Sequence, residues 1–372
     1  MGYCLFVLRY SRTSIQIDDS APHFLFTHNR RIGAATARER MMNIKRISAC
    51  LIALAFVVQT SAQQVDFSVV TVPEESGIDF TQISTASDYV CMPIVKRSSK
   101  GLQWFTNRIL DVSKDGKHIA YLSLRNETSN IFVKELGKQG GSTQRTNRQA
   151  VIDFSYSPDG EWICFSEQRG KTHQVFRTSA KQGYICRQIT SANNDYSPIY
   201  TADMAQIFFA RQEANSISIW GYDVGNNFLS SYTMGMNPWP LSNEPAILCT
   251  RTGSDGRSEI WKINYSTGVE ECLISDPNRS FASPCVSPDG EWMLFVGESI
   301  AGNDSFTYRN TDLYVARLDG TMLSQLTYHA ADDLSPMWSK DGRYIYFVSQ
   351  RGSAEATANI WRMTFPYTLN NY

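Results

Sequence analysis

Four times along the chain, a polar tetrapeptide is followed at once by an apolar, aromatic-rich run: Ser113–Gly116 before KHIAYLS, Ser157–Gly160 before EWICFSE, Ser287–Gly290 before EWMLFVG and Ser339–Gly342 before RYIYFVS. Two weaker copies, Thr201–Met204 before AQIFFAR and Leu241–Glu244 before PAILCTR, fill the gap between the second and third of these. Asp115, Asp159 and Asp203 are 44 residues apart, and the later intervals are 40, 46 and 52. Such a period marks a repeat architecture. Each unit repeats one grammar. A short strand precedes the tetrapeptide, which fits a type I turn with a left-handed glycine. An apolar strand, a polar loop and a third strand follow (130–136, 174–180, 218–224, 259–265, 312–318 and 359–365), and then a fourth strand such as 186–190, 271–275 or 323–327. Four short strands per 40–50 residues predict a propeller blade. The fold class expected is all-β: a six-bladed propeller of four-stranded blades, closed by an N-terminal strand. No residues remain after 365–372 for a fourth strand in the last blade, so Gly101–Thr106 is the segment expected to latch the ring.

The first 62 residues lie outside the repeats. Lys45 and Arg46, an apolar run over 47–58 and the small residues Thr60-Ser61-Ala62 read as a secretory signal peptide at 41–62. That run is too short for a stable bilayer span. Residues 1–40 are expected to be untranslated or disordered, 63–100 to form an N-terminal extension, and 101–372 the propeller. The extension is expected either to lie across the ring or to pair with a partner. Cleavage after Ala62 makes the protein periplasmic or secreted. It leaves 27 basic and 33 acidic residues, a net charge of −6, which argues against a nucleic-acid or anionic-lipid binder. Six cysteines remain, with no CxxC pair, and three dispersed histidines, His118, His173 and His329. No metal or cofactor is expected. Cys164 and Cys186 lie two strands apart in one blade, beyond disulfide reach, and Cys249 and Cys272 share that relation. Mostly buried free thiols are expected, with room for one cross-blade disulfide.

The units resemble the PD40, or WD40-like, repeat of TolB-type propellers. Ser287–Gly290, Leu313-Tyr314, Leu318–Gly320 and Leu326-Thr327 match that pattern in the fifth blade, as do Ser349–Gly352 and Ile360-Trp361 in the sixth. The Gly-His and Trp-Asp signatures of true WD40 proteins are missing. Residues 63–100 are too short for the α/β domain that precedes the TolB propeller. Related propellers serve prolyl oligopeptidases and oligogalacturonate lyases, but no GxSxG elbow occurs and the histidines are few. The resemblance implies a non-enzymatic scaffold that binds a protein or peptide in a bacterial envelope. The alternative is a glycan- or small-ligand-binding propeller.

Three sets of residues are candidates for the site. Arg125, Arg169, Arg211, Arg251 and Arg351 each end a second strand; they form either a ring for carboxylate or phosphate recognition or a set of structural ion pairs. The loops entering each first strand carry Arg108, Asp195, Trp239, Arg279, Asp332 and Asp333, on loops expected to open near the central channel; here the competing reading is plain turn chemistry. In the glycan alternative, Asp195, Asp332 and Asp333 act with Trp239 and Tyr308. Tyr308 belongs to the third set, an insert at 297–311 expected to lengthen one loop.

Overall fold

The recurring tetrapeptide owes its shape to two side chains. In five of the six turns, the hydroxyl of the first residue donates to the Asp carboxylate two positions on: Ser113 to Asp115, Ser157 to Asp159, Thr201 to Asp203, Ser287 to Asp289 and Ser339 to Asp341. The same hydroxyl accepts from the backbone N–H five residues on, as in His118 (3.0 Å) and Trp162 (2.9 Å). The carboxylate accepts a second backbone N–H, that of Lys117 (3.0 Å) or Glu161 (3.0 Å) in the first two turns. A backbone bond from Gly160 N–H to Ser157 C=O (2.9 Å) closes the turn, and Gly160 sits at φ 75°, where a side chain is costly. Met204 adopts the same left-handed φ of 61°, so the third turn keeps its geometry without the glycine. The fourth turn, with Leu241 and Asn243, lacks the hydroxyl–carboxylate pair.

The protein is described here by a computed structural model covering residues 67–93, 95, 97–98, 101–102, 108–138, 140–181, 185–191, 193–303 and 306–367; for 97–102 and 299–309 it describes the backbone alone. The signal-like segment 41–62 and residues 103–107 lie outside this set. Of the 26 described strands, 24 form six groups of four, two of these groups joined in one eight-stranded sheet, and the remaining two form a separate hairpin. The innermost strands are Leu110–Val112, Val151–Tyr156, Asn194–Tyr200, Met236–Pro240, Phe281–Val286 and Asp333–Trp338. A single parallel bridge, His173 to Asn194, links the second and third groups. Within each blade the strands are antiparallel. The tetrapeptide turns therefore lie on one face, and the hairpins between second and third strands lie on the other. The apolar residues of the second strands, such as Ile163, Phe165, Phe208, Phe295 and Phe347, are fully buried. They pack between neighbouring blades, as the doubly apolar pattern requires.

Ring closure differs from the expectation. Phe80–Gln82, not Gly101–Thr106, is the outermost strand of the sixth blade, pairing with Asn359–Thr364 in the register Phe80 to Met363. Gly101–Leu102 instead folds back on Arg97–Ser98. The reason is packing. Phe80 meets Phe347 edge-on at 6.3 Å and lies under the Arg351 guanidinium at 4.4 Å, contacts that a Gly-Leu segment does not offer. Thus the sixth blade draws on the segment read as an extension. Other described parts of that segment also bond to the ring. Gly352 and Ser353 donate to Val69 and Phe67 C=O (2.7 and 3.0 Å), and Cys91 donates to Leu122 C=O (3.0 Å). The insert at 297–311 is not a loop, but the tip of a long hairpin formed by strands Trp292–Asn303 and Phe306–Arg317.

The six described cysteines form no disulfide with one another, and Cys164, Cys249 and Cys285 are buried. Burial pushes those three thiols up to about 12, so they are inert packing groups rather than nucleophiles.

Candidate functional site

The five strand-ending arginines are held by carboxylates, though not by those of the turns. Arg211 donates through Nε and Nη2 to both oxygens of Asp195 (2.8 and 3.0 Å) and stacks over Trp220 at 4.3 Å. Arg251 reaches Glu270 (2.8 and 2.6 Å) and the carbonyl of Met234 (2.9 Å). The bond from Arg251 holds the Glu270 carboxyl down at about 2. Arg351 is fully buried between Glu75 (3.1 and 3.0 Å) and Asp333 (2.5 Å). Burial opposes the Arg351 charge, but Asp333 and Glu75 hold it above the ordinary guanidinium value. Arg125 donates to Ser142 (2.8 Å), lies 3.7 Å from Asp88 and sits over Phe132. Asp88 is shared with Lys134 (2.8 Å) and Tyr121 (2.7 Å); these bonds outweigh burial and lower its carboxyl. Arg169 is the most exposed of the five and shares Glu167 with Arg148. These guanidiniums tie strand ends, neighbouring strands and the N-terminal segment together.

The residues entering the first strands divide. Asp195 and Asp333 are spent on Arg211 and Arg351, while Asp332 accepts from Thr311 N–H (2.8 Å). Arg279 is exposed, 6.0 Å from the Tyr314 ring. The Tyr308 side chain lies outside the described set. Arg108 and Trp239 behave differently. They meet across the channel, the guanidinium 4.9 Å over the indole.

This pair lies in a cavity of about 420 Å³ on the face of the tetrapeptide turns, opposite to the mouth that sequence reasoning favoured. Every blade supplies part of its wall, among them Asp111 and Lys114, Ser155–Pro158, Ile199 and Ala202, Trp239–Asn243, Val286–Pro288 and Met337–Lys340. The volume falls within the ordinary range of ligand sites. Arg108 also borders a cavity of about 20 Å³ at the waist of the channel, with Ser197, Asn237, Ser283, Pro284, Cys285, Ser335 and Pro336. That is room for about one water. The waist has a structural origin. Ser197, Asn237, Ser283 and Ser335 all take left-handed φ of 51–57°, and each starts a register shift in its innermost strand. These bulges turn small polar side chains to the axis.

Arg108 differs from Arg211 and Arg351 in its lack of a carboxylate partner. Among the described residues no carboxylate lies within ion-pair distance of it, and its Nη1, like the Nε of Arg145, Arg177 and Arg351, is buried without a hydrogen-bond partner. Burial pulls its guanidinium below the ordinary value, partly offset by the charge of Asp111. Asp111 itself is occupied by the N–H groups of Val112 (2.7 Å) and Tyr156 (2.8 Å). Near the waist, burial raises the Asp153 carboxyl to about 6, although it accepts from Ser166 and from Ser197 N–H (2.9 Å). Sequence reasoning missed the lysines of the rim, Lys114 and Lys340. Their signal was available: both occupy the second position of the turn, where the other clear copies have proline.

The model of the PD40 family, the TolB β-propeller domain, matches residues 109–307, more than half of the chain. Among solved structures, the chain is similar to a TolB described as putative from Agrobacterium tumefaciens, with 14% identity, TM-score 0.53, and 78% of this chain and 98% of that one covered. It is similar to TolB from Acinetobacter baumannii, with 18% identity, TM-score 0.50 and coverage of 62% and 56%. It is likewise similar to an oligogalacturonate lyase from Vibrio parahaemolyticus, with 11% identity, TM-score 0.51 and coverage of 80% and 96%. At these identities the likeness to solved structures is one of fold. The chain belongs to the PD40 family of TolB β-propeller domains.

Proposed function

We propose that this chain is an exported, non-catalytic propeller that binds a protein or peptide segment in the bacterial envelope. The contact is made in the funnel on the face of the tetrapeptide turns. One observation carries this reading: six blades converge on a cavity whose inner end presents an unpaired guanidinium stacked on an aromatic ring. Such pairs are typical anchors of binding sites, and the rigid ring displays them at low entropic cost. The signal-like segment 41–62 supports export, and no helix among the described residues is long and apolar enough to cross a membrane.

A glycan reading has Trp239 in the funnel on its side. However, Asp195, Asp332 and Asp333, the acids it needs, do not line that cavity. A photo-reactive residue at Ser242, exposed on the funnel rim, and another at Ala214, exposed on the opposite face, test the proposal in the native host. A defined cross-linked protein from position 242 and not from 214 supports it. Equal labelling from both positions, or none from 242, sinks it.

A further inference from the structure

Below Arg108 the described residues leave a cavity of about 20 Å³, room for about one water and too little for an extended chain. A ligand entering from the turn face therefore ends at Arg108. Its end meets a guanidinium whose Nη1 is buried and unpartnered, with Lys114 and Lys340 on the rim and Asp111 the one acid in the wall. Neither rim lysine forms an ion pair among the described residues. The Asp111 oxygens already accept two backbone N–H groups. A buried donor left unmade is expensive, and a planar guanidinium is matched by a carboxylate. Around it, Ile199, Leu241, Val286 and Met337 give the wall apolar stretches.

We infer that the funnel recognises the C-terminal carboxylate of a peptide, with Arg108 pairing the terminal carboxylate, Trp239 fixing the guanidinium plane and the apolar wall taking the last side chains. This rests on the reading of the funnel as the contact site. A chain end satisfies the narrowing geometry, and an anionic end, rather than an amino terminus, suits three basic residues against one acid among the described lining residues, with Asp159 near Lys114 at the rim.

The test uses the full exported chain, immobilised, and two pools of acetylated random tetrapeptides identical except at the C-terminus, one free acid and one amide. Retention is read by mass spectrometry. The acid pool should be retained at least tenfold over the amide pool. Arg108→Gln should bring the ratio near one, and Arg108→Lys should keep part of it. Because Arg108 lies inside the ring, Lys340→Glu on the exposed rim serves as a second variant. It should lower retention of the acid pool severalfold and leave the amide pool unchanged. Equal retention of the two pools, retention of neither, or a ratio unmoved by both variants overturns the carboxylate site. Cross-linking from position 242 then decides separately whether the funnel is a contact site at all.

Discussion

Two populations of arginine share this ring, and they do opposite things. Arg351 and Arg211 are buried and paired with acids: each guanidinium meets carboxylate oxygens at 2.5–3.1 Å, although the Arg351 Nε makes no hydrogen bond among the described residues. Arg108 is set in the channel with no carboxylate in reach among the described residues and an orphaned Nη1. The residue type is the same, and so is the interior of the ring. The difference lies in whether the fold supplies the partner. On the blades it does, and the charge becomes a clamp. In the channel none of the described residues does, and the proposed carboxylate site rests on that difference. A buried, unsatisfied cation lowers the stability of the protein that carries it, so its presence needs a reason other than folding.

The largest way to break this contrast is Arg351→Met. It strands Glu75 and Asp333, both buried, against each other without a cation. Breaking a buried pair in this way costs about 3–5 kcal/mol. It should also loosen the first residues of the ring, because Arg351 donates to Val70 C=O (3.1 Å) as well. Urea denaturation and protease cleavage near residue 70 read the two effects. A variant as stable as the parent would remove Arg351 from the clamps.

The pH dependence of Asp153 comes next. Its folded carboxyl is raised to about 6 from 3.8, first by burial. Between those values the folded state holds a proton that the unfolded state has lost. Stability from this group therefore falls as pH rises from about 4 to 6 and is level above, a loss of roughly 2–4 kcal/mol. The readout is the stability of Asp153→Asn minus that of the parent, by urea denaturation at each pH, which cancels the other carboxylates. The difference should climb in the variant's favour across this window. A flat difference would mean that Asp153 is ionised at ordinary acidity and makes a second fixed charge in the channel.

Arg108→Met follows, with a change within about 1 kcal/mol or a net gain in stability, since no partner is orphaned and an unsatisfied donor is removed. Its melting temperature should match or exceed that of the parent. A large loss would place Arg108 among the structural arginines and erase the contrast.

How far the sequence could anticipate this follows from the length scale of each feature. The turns were legible because Ser, Asp and Gly at fixed spacing act on backbone within five residues. The blade count followed from that period. Closure was not legible, since Phe80–Gln82 and Gly101–Thr106 are both short segments near the N-terminus, and the choice rests on Phe80 packing against Phe347, 267 positions away in the chain. The arginines of the blades were visible as a recurrence, but their partners were not: Asp88, Glu167 and Glu270 hold no common place in the repeat. Arg108 and Trp239 were legible as candidates because they enter innermost strands. That their side chains face the turn side depends on the bulges at 197, 237, 283 and 335, where Ser or Asn in a left-handed conformation leaves little trace in composition.

Arg169→Ala marks the lower end of the scale. Arg169 lies 3.2 Å from Glu167 with 47% of its side chain exposed, whereas Arg148 reaches the same carboxylate at 2.5 Å with 19% exposed. Removing Arg169 leaves Glu167 paired, so no charge is stranded. Exposed ion pairs contribute about 0–1 kcal/mol and are screened by salt. The change should be about 0.5 kcal/mol at low salt and should vanish near 0.5 M sodium chloride, read as a shift of the urea midpoint with unchanged slope. Because its stack on Phe176 is neutral to salt, any loss that persists at high salt measures packing rather than charge. A loss as large as that of Arg351→Met would show that exposure does not separate the arginines, and that position in the repeat alone makes a clamp.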